Sequence, residues 1–255
     1  MFARLPKASS WTFCLLSFVA SRAMAQFSPS PAFSDTVLRS FVQDAPNCAS
    51  EAVAKTMIAS YGLSTSNGVF LKQEKEQDGL AITLRNGDVV HVSKVDLDAA
   101  MHHSDFTLAT NTPDAQAILN ASNLIYAVIA VRAVAQGQGP LANLGSLDAV
   151  FSRLHKGVDA DYLFMALGYT IADDRIGPDT ALAYLFGNAV HAVFAMGTVF
   201  DQYGGPLALD QFQKKHPAHG PVWKYILDST AKGSPTFILA CKYKNTGWLP
   251  GKSCD

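Results

Sequence analysis

The sequence predicts an α+β domain, and three observations carry that expectation. Stretches with apolar residues at helical spacing fill much of positions 34–168, β-rich runs with hairpin signals stand at 80–95 and 188–203, and no internal repeat or low-complexity tract divides the chain. At 255 residues it is long enough for one domain with a full core.

The elements are expected in this order. Ser34 to Gln43 reads as a short leading helix and Cys48 to Tyr61 as a second, with Val53, Met57 and Tyr61, joined by Ala54 and Ile58, on one face until Gly62 stops it. Asn86-Gly87 between two β-runs predicts a type I′ hairpin over Leu80 to Val95. Helical spacing returns at Asp114 to Gln136, Leu147 to Lys156 and Ala160 to Gly168. NAVHAVF and TVFDQY then form a hairpin around Ala195-Met196-Gly197, Leu207 to Lys215 and Val222 to Ala231 read as helices, and Thr236 to Lys244 reads as a final strand. The loop around Gly137 has neither phosphate-cradle spacing nor a following Lys-Ser or Lys-Thr.

The first residues predict export. MFARLPK, the apolar run WTFCLLSFVA and the small-residue end SRAMA match a secretory signal peptide over residues 1–25, leaving 26–255 as a single secreted or periplasmic domain; an uncleaved anchor is the alternative. The run is shorter than the roughly 20 residues of a membrane span. LIYAVIAVRAVA, broken by Arg132, reads as a buried helix, so no span is expected in the mature chain. The whole sequence has 20 basic and 21 acidic residues, and loss of Arg4, Lys7 and Arg22 makes the remainder mildly acidic. Without basic clusters, nucleic acid is not an expected partner.

Export also changes what the cysteines mean. Cys14 leaves with the leader, so Cys48, Cys241 and Cys254 remain, an odd number in an oxidising compartment. Cys241 and Cys254 bracket CKYKNTGWLPGKSC, whose glycines and proline can turn the chain back into a disulfide loop. Cys48 is then a thiol, either an inert core residue or a reactive one. Asn47 or Asp44 is expected to cap its helix, placing the sulfur in the first turn, where unpaired N–H groups and the helix dipole favour a thiolate and can also serve an oxyanion.

A thiolate nucleophile needs a proton acceptor, and the histidines compete for that role. His91 reads as a strand-surface residue, His102 and His103 as loop residues, and His155 as a cation at a helix C-terminus; His216 and His219 fall in an irregular segment. None of these offers a recognised metal spacing, so no metal is expected. His191 remains. A three-residue hairpin loop would pair Phe194 with Thr198, and counting back sets His191 opposite Asp201, an imidazole beside a carboxylate. The competing reading is a strand histidine with an incidental aspartate.

A helix-starting cysteine followed at a distance by His-Ala-Val-x-Ala-x-Gly, here HAVFAMG, resembles the papain-like cysteine peptidase superfamily. The resemblance implies a helical part, whose central helix starts at the cysteine, packed on an antiparallel sheet that carries the histidine. It implies Cys48 as nucleophile, His191 as general base, Asp201 as its orienter, and Gln43 or Asn47 as oxyanion donor. It covers the Cys48 helix and the His191–Gly205 segment. Papain's Gly-x-Cys-Trp context is absent, and Gln43 stands five positions before Cys48 where the family glutamine stands six. The implied activity is that of an exported peptidase or amidase that needs no cofactor and acts on a protein, a peptide or cell-wall peptide stems. A transglutaminase or cell-wall amidase would use the same residue types, and a secreted non-catalytic binding or structural protein would need none of them.

Overall fold

The computed structural model describes residues 30–44, 46–172, 181–186, 191–196, 199–208, 211, 214, 222–228, 236–242 and 248–250. Residues 1–25, expected to be a leader, lie outside them, as do His216, His219 and Cys254, and with Cys254 the expected Cys241–Cys254 disulfide.

Helix and antiparallel sheet combine as the sequence predicts. Helix α1 (Pro31–Leu38) starts on a Ser30 cap that accepts the Phe33 N–H. It is shorter than the expected leading helix, because Phe41–Gln43 is extended as β1. α2 (Cys48–Tyr61) has the expected bounds and ends at Gly62, whose φ of +75° and N–H bond to the Ile58 carbonyl close the last turn. Every residue of α2 except Glu51 is buried, so its small alanines let neighbours approach from all sides.

The three-stranded sheet β2 (Lys72–Lys75), β3 (Gly79–Thr83) and β4 (Val89–Ser93) contains the expected hairpin with a different turn. A type I′ turn needs positive φ at both central residues, and here only Gly87 has it, at +91°. The Asn86 side chain instead accepts the Asp88 N–H and closes a local turn. A Ser93–Asp96 capping box then opens α3 (Lys94–His103), so His102 and His103 sit in a last helical turn where a loop was expected. β5 (Phe106–Leu108) pairs with β1, bringing Gln43 opposite Phe106.

α4 (Pro113–Gln136), capped by Thr112, is long and apolar enough to cross a membrane by composition alone, and its central residues Leu124 to Ala130 are buried in the core. It packs on α2 and α3, followed by α5 (Leu147–His155) and α6 (Ala160–Ala166) close to their expected positions.

The second half is more β-rich than the sequence suggests. β6 (Thr170–Ala172), β7 (Ala181–Phe186), β8 (His191–Met196), β9 (Val199–Gln202), β10 (Gly205–Ala208), β11 (Val222–Asp228), β12 (Thr236–Lys242) and β13 (Trp248–Pro250) form one eight-stranded sheet. The order is β10-β9-β8-β7-β11-β12-β13, with β6 parallel to β12. The helix expected from Leu207 starts later, since Leu207 and Ala208 belong to β10 while residues 211 and 214 are helical. The helix expected from Val222 is corrected: Val222–Asp228 is β11, paired with β12 along its length and with β7 over Val222–Lys224. Short apolar runs such as VWKYILD satisfy either periodicity, and ladder bonds on both sides decided for strand.

The β8–β9 register is also corrected. Met196 pairs with Val199 and Ala195 with Phe200, so only Gly197 and Thr198 connect the strands and the expected opposition of His191 and Asp201 does not form. Asp201 instead faces α2, where its carboxylate accepts from Lys55. Ala192 and Phe194 join the core cluster built around α2.

Candidate functional site

The first turn of α2 meets the start of β8. Cys48 is 8% exposed and carries a thiol. Its Sγ accepts the backbone N–H of Ala192 at 3.4 Å, so the fold carries the sulfur to the residue that directly follows His191, across 144 positions of chain. The two segments meet because α2 packs against β8 and β7. The backbone of His191 opens β8 opposite Phe186.

The thiol is not the preformed thiolate expected from its place at a helix start. Burial raises the Cys48 pKa above the ordinary thiol value; N–H groups of Ala192, Ala49 and Cys48 itself pull it back in part, and the nearby Glu51 charge pushes it up further. Desolvation outweighs the helix terminus because the sulfur has lost almost all of its water. Such a sulfur is a thiol at neutral pH and becomes nucleophilic only as a base takes its proton.

Behind Cys48, along α2, lies a buried charge cluster. Lys55 is fully buried and sends its Nζ to the carbonyls of Leu38 at 3.0 Å and Phe41 at 2.6 Å, and to the Asp201 carboxylate. An ammonium has three N–H donors, and these three oxygens use them all. Glu51 Oε1 lies 2.9 Å away but off a hydrogen-bonding line, so its attraction to Lys55 is ionic. The Lys55 Nζ also stands 4.5 Å from the centre of the Phe41 ring. Burial pushes the Glu51 pKa up to about 7; Lys55 opposes that and Asp201 adds to it. Burial likewise raises Asp201, against Lys55 and the Gly204 N–H, which Asp201 Oδ1 accepts at 2.7 Å.

Asp201 is thus a buried partner of Lys55, tying β9 to α2 and to the α1–β1 connection. Lys55 and Glu51 were not singled out in the sequence. Their signal was a lone acid–base pair at i, i+4 in the apolar run EAVAKTMIAS, which is ordinarily read as a solvated face.

The two oxyanion candidates differ. Asn47, 1% exposed, makes no side-chain cap to α2: its Nδ2 donates to the Ser104 carbonyl, and its own carbonyl accepts the Ser50 and Glu51 N–H groups. Ser104 in turn donates to Asn123 at 2.7 Å, so Asn47 serves as a buried strut between α2 and the α3–β5 connection. Gln43, at the end of β1, is half-buried, and its Oε1 has no hydrogen-bond partner among the described residues.

Among the histidines, His91 pairs with Glu76 at 3.0 Å on an exposed strand, and His155 at the end of α5 lies 3.3 Å from Asp105. The described residues contain no group of three or more His, Cys, Asp or Glu placed to hold a metal ion. Comparisons with protein-family models, with curated proteins and with solved structures find no match to this chain.

Proposed function

We propose that the chain is an exported cysteine-dependent hydrolase of amide bonds, a peptidase or amidase, with a papain-like arrangement of helix and sheet. The observation that carries this reading is the Ala192 N–H on Cys48 Sγ, which sets a helix-start cysteine beside the strand that begins with His191. His191 takes the thiol proton as the sulfur attacks the substrate carbonyl, and returns it to the departing amine, leaving a thioester. Water, deprotonated by the same imidazole, then attacks the thioester; the acid leaves and the thiol is restored. N–H groups at the start of α2, with Gln43, support the oxyanion. Asp201 acts through Lys55 by fixing the helix to the sheet, in place of the direct contact with His191 that the sequence suggested. The raised Cys48 pKa favours a mechanism in which base removal and attack are concerted. The chemistry calls for no cofactor, and the substrate is a protein, a peptide or a cell-wall peptide stem. The signal-like start supports a secreted or periplasmic location.

A second reading has its own support. A buried, largely desolvated thiol is also what an inert core cysteine looks like, and a non-catalytic secreted protein would then result. Iodoacetamide labelling of the folded protein near neutral pH separates them. A nucleophile labels at Cys48 without denaturant, and His191→Ala slows that labelling by about 10²-fold or more, the usual worth of a positioned base. Labelling only after unfolding, or a rate indifferent to His191, refutes the hydrolase.

A further inference from the structure

We propose that a cleft at the far end of α2 binds a small, uncharged, apolar molecule the size of a two-ring aromatic, with one hydrogen-bonding group at the mouth. The cleft encloses about 270 Å3 between Leu63, Val69 and Phe70 of the chain after α2, Leu97 of α3, and Leu124 and Ile125 of α4. It begins at Gly62, just past the 14 residues of α2. A helix of that length spans about 21 Å, so the cleft stands apart from Cys48 at the other end and depends on no reading of the thiol.

Its walls are held open by their own bonding. Ser64 Oγ donates to the Ser66 carbonyl at 2.7 Å and accepts the Ser66 N–H, the Asn67 N–H reaches the Leu71 carbonyl, and the Gln73 N–H reaches that of Thr65. At Gly68 the loop crosses itself so closely that a Cβ would stand 2.1 Å from the Ser64 carbonyl oxygen. Arg85 fastens the loop to α2: it donates to the Asn67 and Gly68 carbonyls, and its guanidinium lies 3.7 Å from the centre of the Tyr61 ring. On α4 the lining residues Ala117 and Ala121, one turn apart, bring only methyl groups to the cleft. Walls braced in this way make a preformed site, which costs a ligand little ordering.

The size and lining set the ligand class. An apolar cavity of about 150 Å3 takes benzene, so this one has room for about ten apolar atoms, an indole- or naphthalene-sized body. None of the residues lining it is charged, so a charge brought there loses water without gaining a partner. The polar lining is neutral. The Ser64 hydroxyl is used within its loop, which leaves the amides of Gln73, half-buried, and Asn120, exposed, to meet a ligand at the mouth. Asn120 Oδ1 accepts from Gln116 Nε2 at 2.9 Å, so the Asn120 NH2 is the group set to donate.

The probes are naphthol, neutral at pH 7, and naphthoate, its charged counterpart, with binding to the full chain followed by isothermal titration. Wild type is expected to bind naphthol more tightly than naphthoate by about tenfold or more, because the carboxylate finds no cation. Ala121→Leu fills the cleft and weakens naphthol binding by about tenfold or more, since the added side chain takes the space of several ligand atoms. Ala117→Leu does the same from an exposed helix position, where the substitution keeps the fold, as urea unfolding verifies. Cys48→Ala binds naphthol as wild type does. No binding by wild type, equal binding of naphthoate, or naphthol binding that survives in either folded leucine variant overturns the site. Binding lost in Cys48→Ala overturns it too, by placing the ligand at the thiol.

Discussion

Lys55→Met removes the ammonium at the centre of the buried cluster while keeping a stem of similar length, so what is lost is charge and not volume. Asp201 is left 5% exposed with only the Gly204 N–H, and the Leu38 and Phe41 carbonyls lose their donor. The cheapest response is for Asp201 to take a proton. Holding it neutral at pH 7 against an ordinary value of 3.8 costs about 4 kcal/mol. The expected loss is therefore about 3–5 kcal/mol, the range for breaking a buried ion pair from one side. Glu51 and Asp201 already have raised values in the wild type, so the native state keeps their protons longer than the unfolded chain does. Their contribution to stability is therefore most favourable below the unfolded values and declines as pH rises, for Glu51 between 4.5 and about 7. Without Lys55 both values climb further and the decline extends above neutrality, with a slope of up to about 1.4 kcal/mol per pH unit for each carboxylate. Urea unfolding at about pH 5, 7 and 8.5 measures this. A variant within about 1 kcal/mol of wild type at pH 7, with an unaltered pH slope, would refute the claim that this cluster holds α2 to β9.

Glu51→Gln removes the carboxylate whose charge raises the Cys48 thiol, so the midpoint of alkylation against pH should move down, and no movement would show that Glu51 does not act on the sulfur. Gly204→Ala forces a Cβ into a position with φ of +76° and contacts at 3.0 Å to Val42 and Ala109. It should cost more in chemical unfolding than Gly87→Ala, which has nothing within 4 Å of its new Cβ and carries only the backbone penalty of about 1–2 kcal/mol.

The helical half was legible because its signals are local. Cys48 to Tyr61 carries its own start, apolar face and glycine stop, and α4 its Thr112 cap and long apolar run, so sequence spacing alone located both. The hairpin near Asn86 was found, but its turn type was not, since Asn86 bonds locally to Asp88 instead of entering the left-handed region. In the second half the local signal ran out. VWKYILD fits either periodicity, and β11 exists because β7 and β12 supply its hydrogen bonds.

By itself the sequence determined a thiol at the start of a helix, a histidine at the head of a β-run and a mixed α+β class, all properties of neighbouring residues. Only the tertiary structure decided that Cys48 meets Ala192, that Asp201 belongs to Lys55, and that burial outweighs the helix terminus in setting the state of the sulfur. Strand register and desolvation decided these points. Both depend on which distant segments exclude water from a group, and spacing along a chain does not encode that.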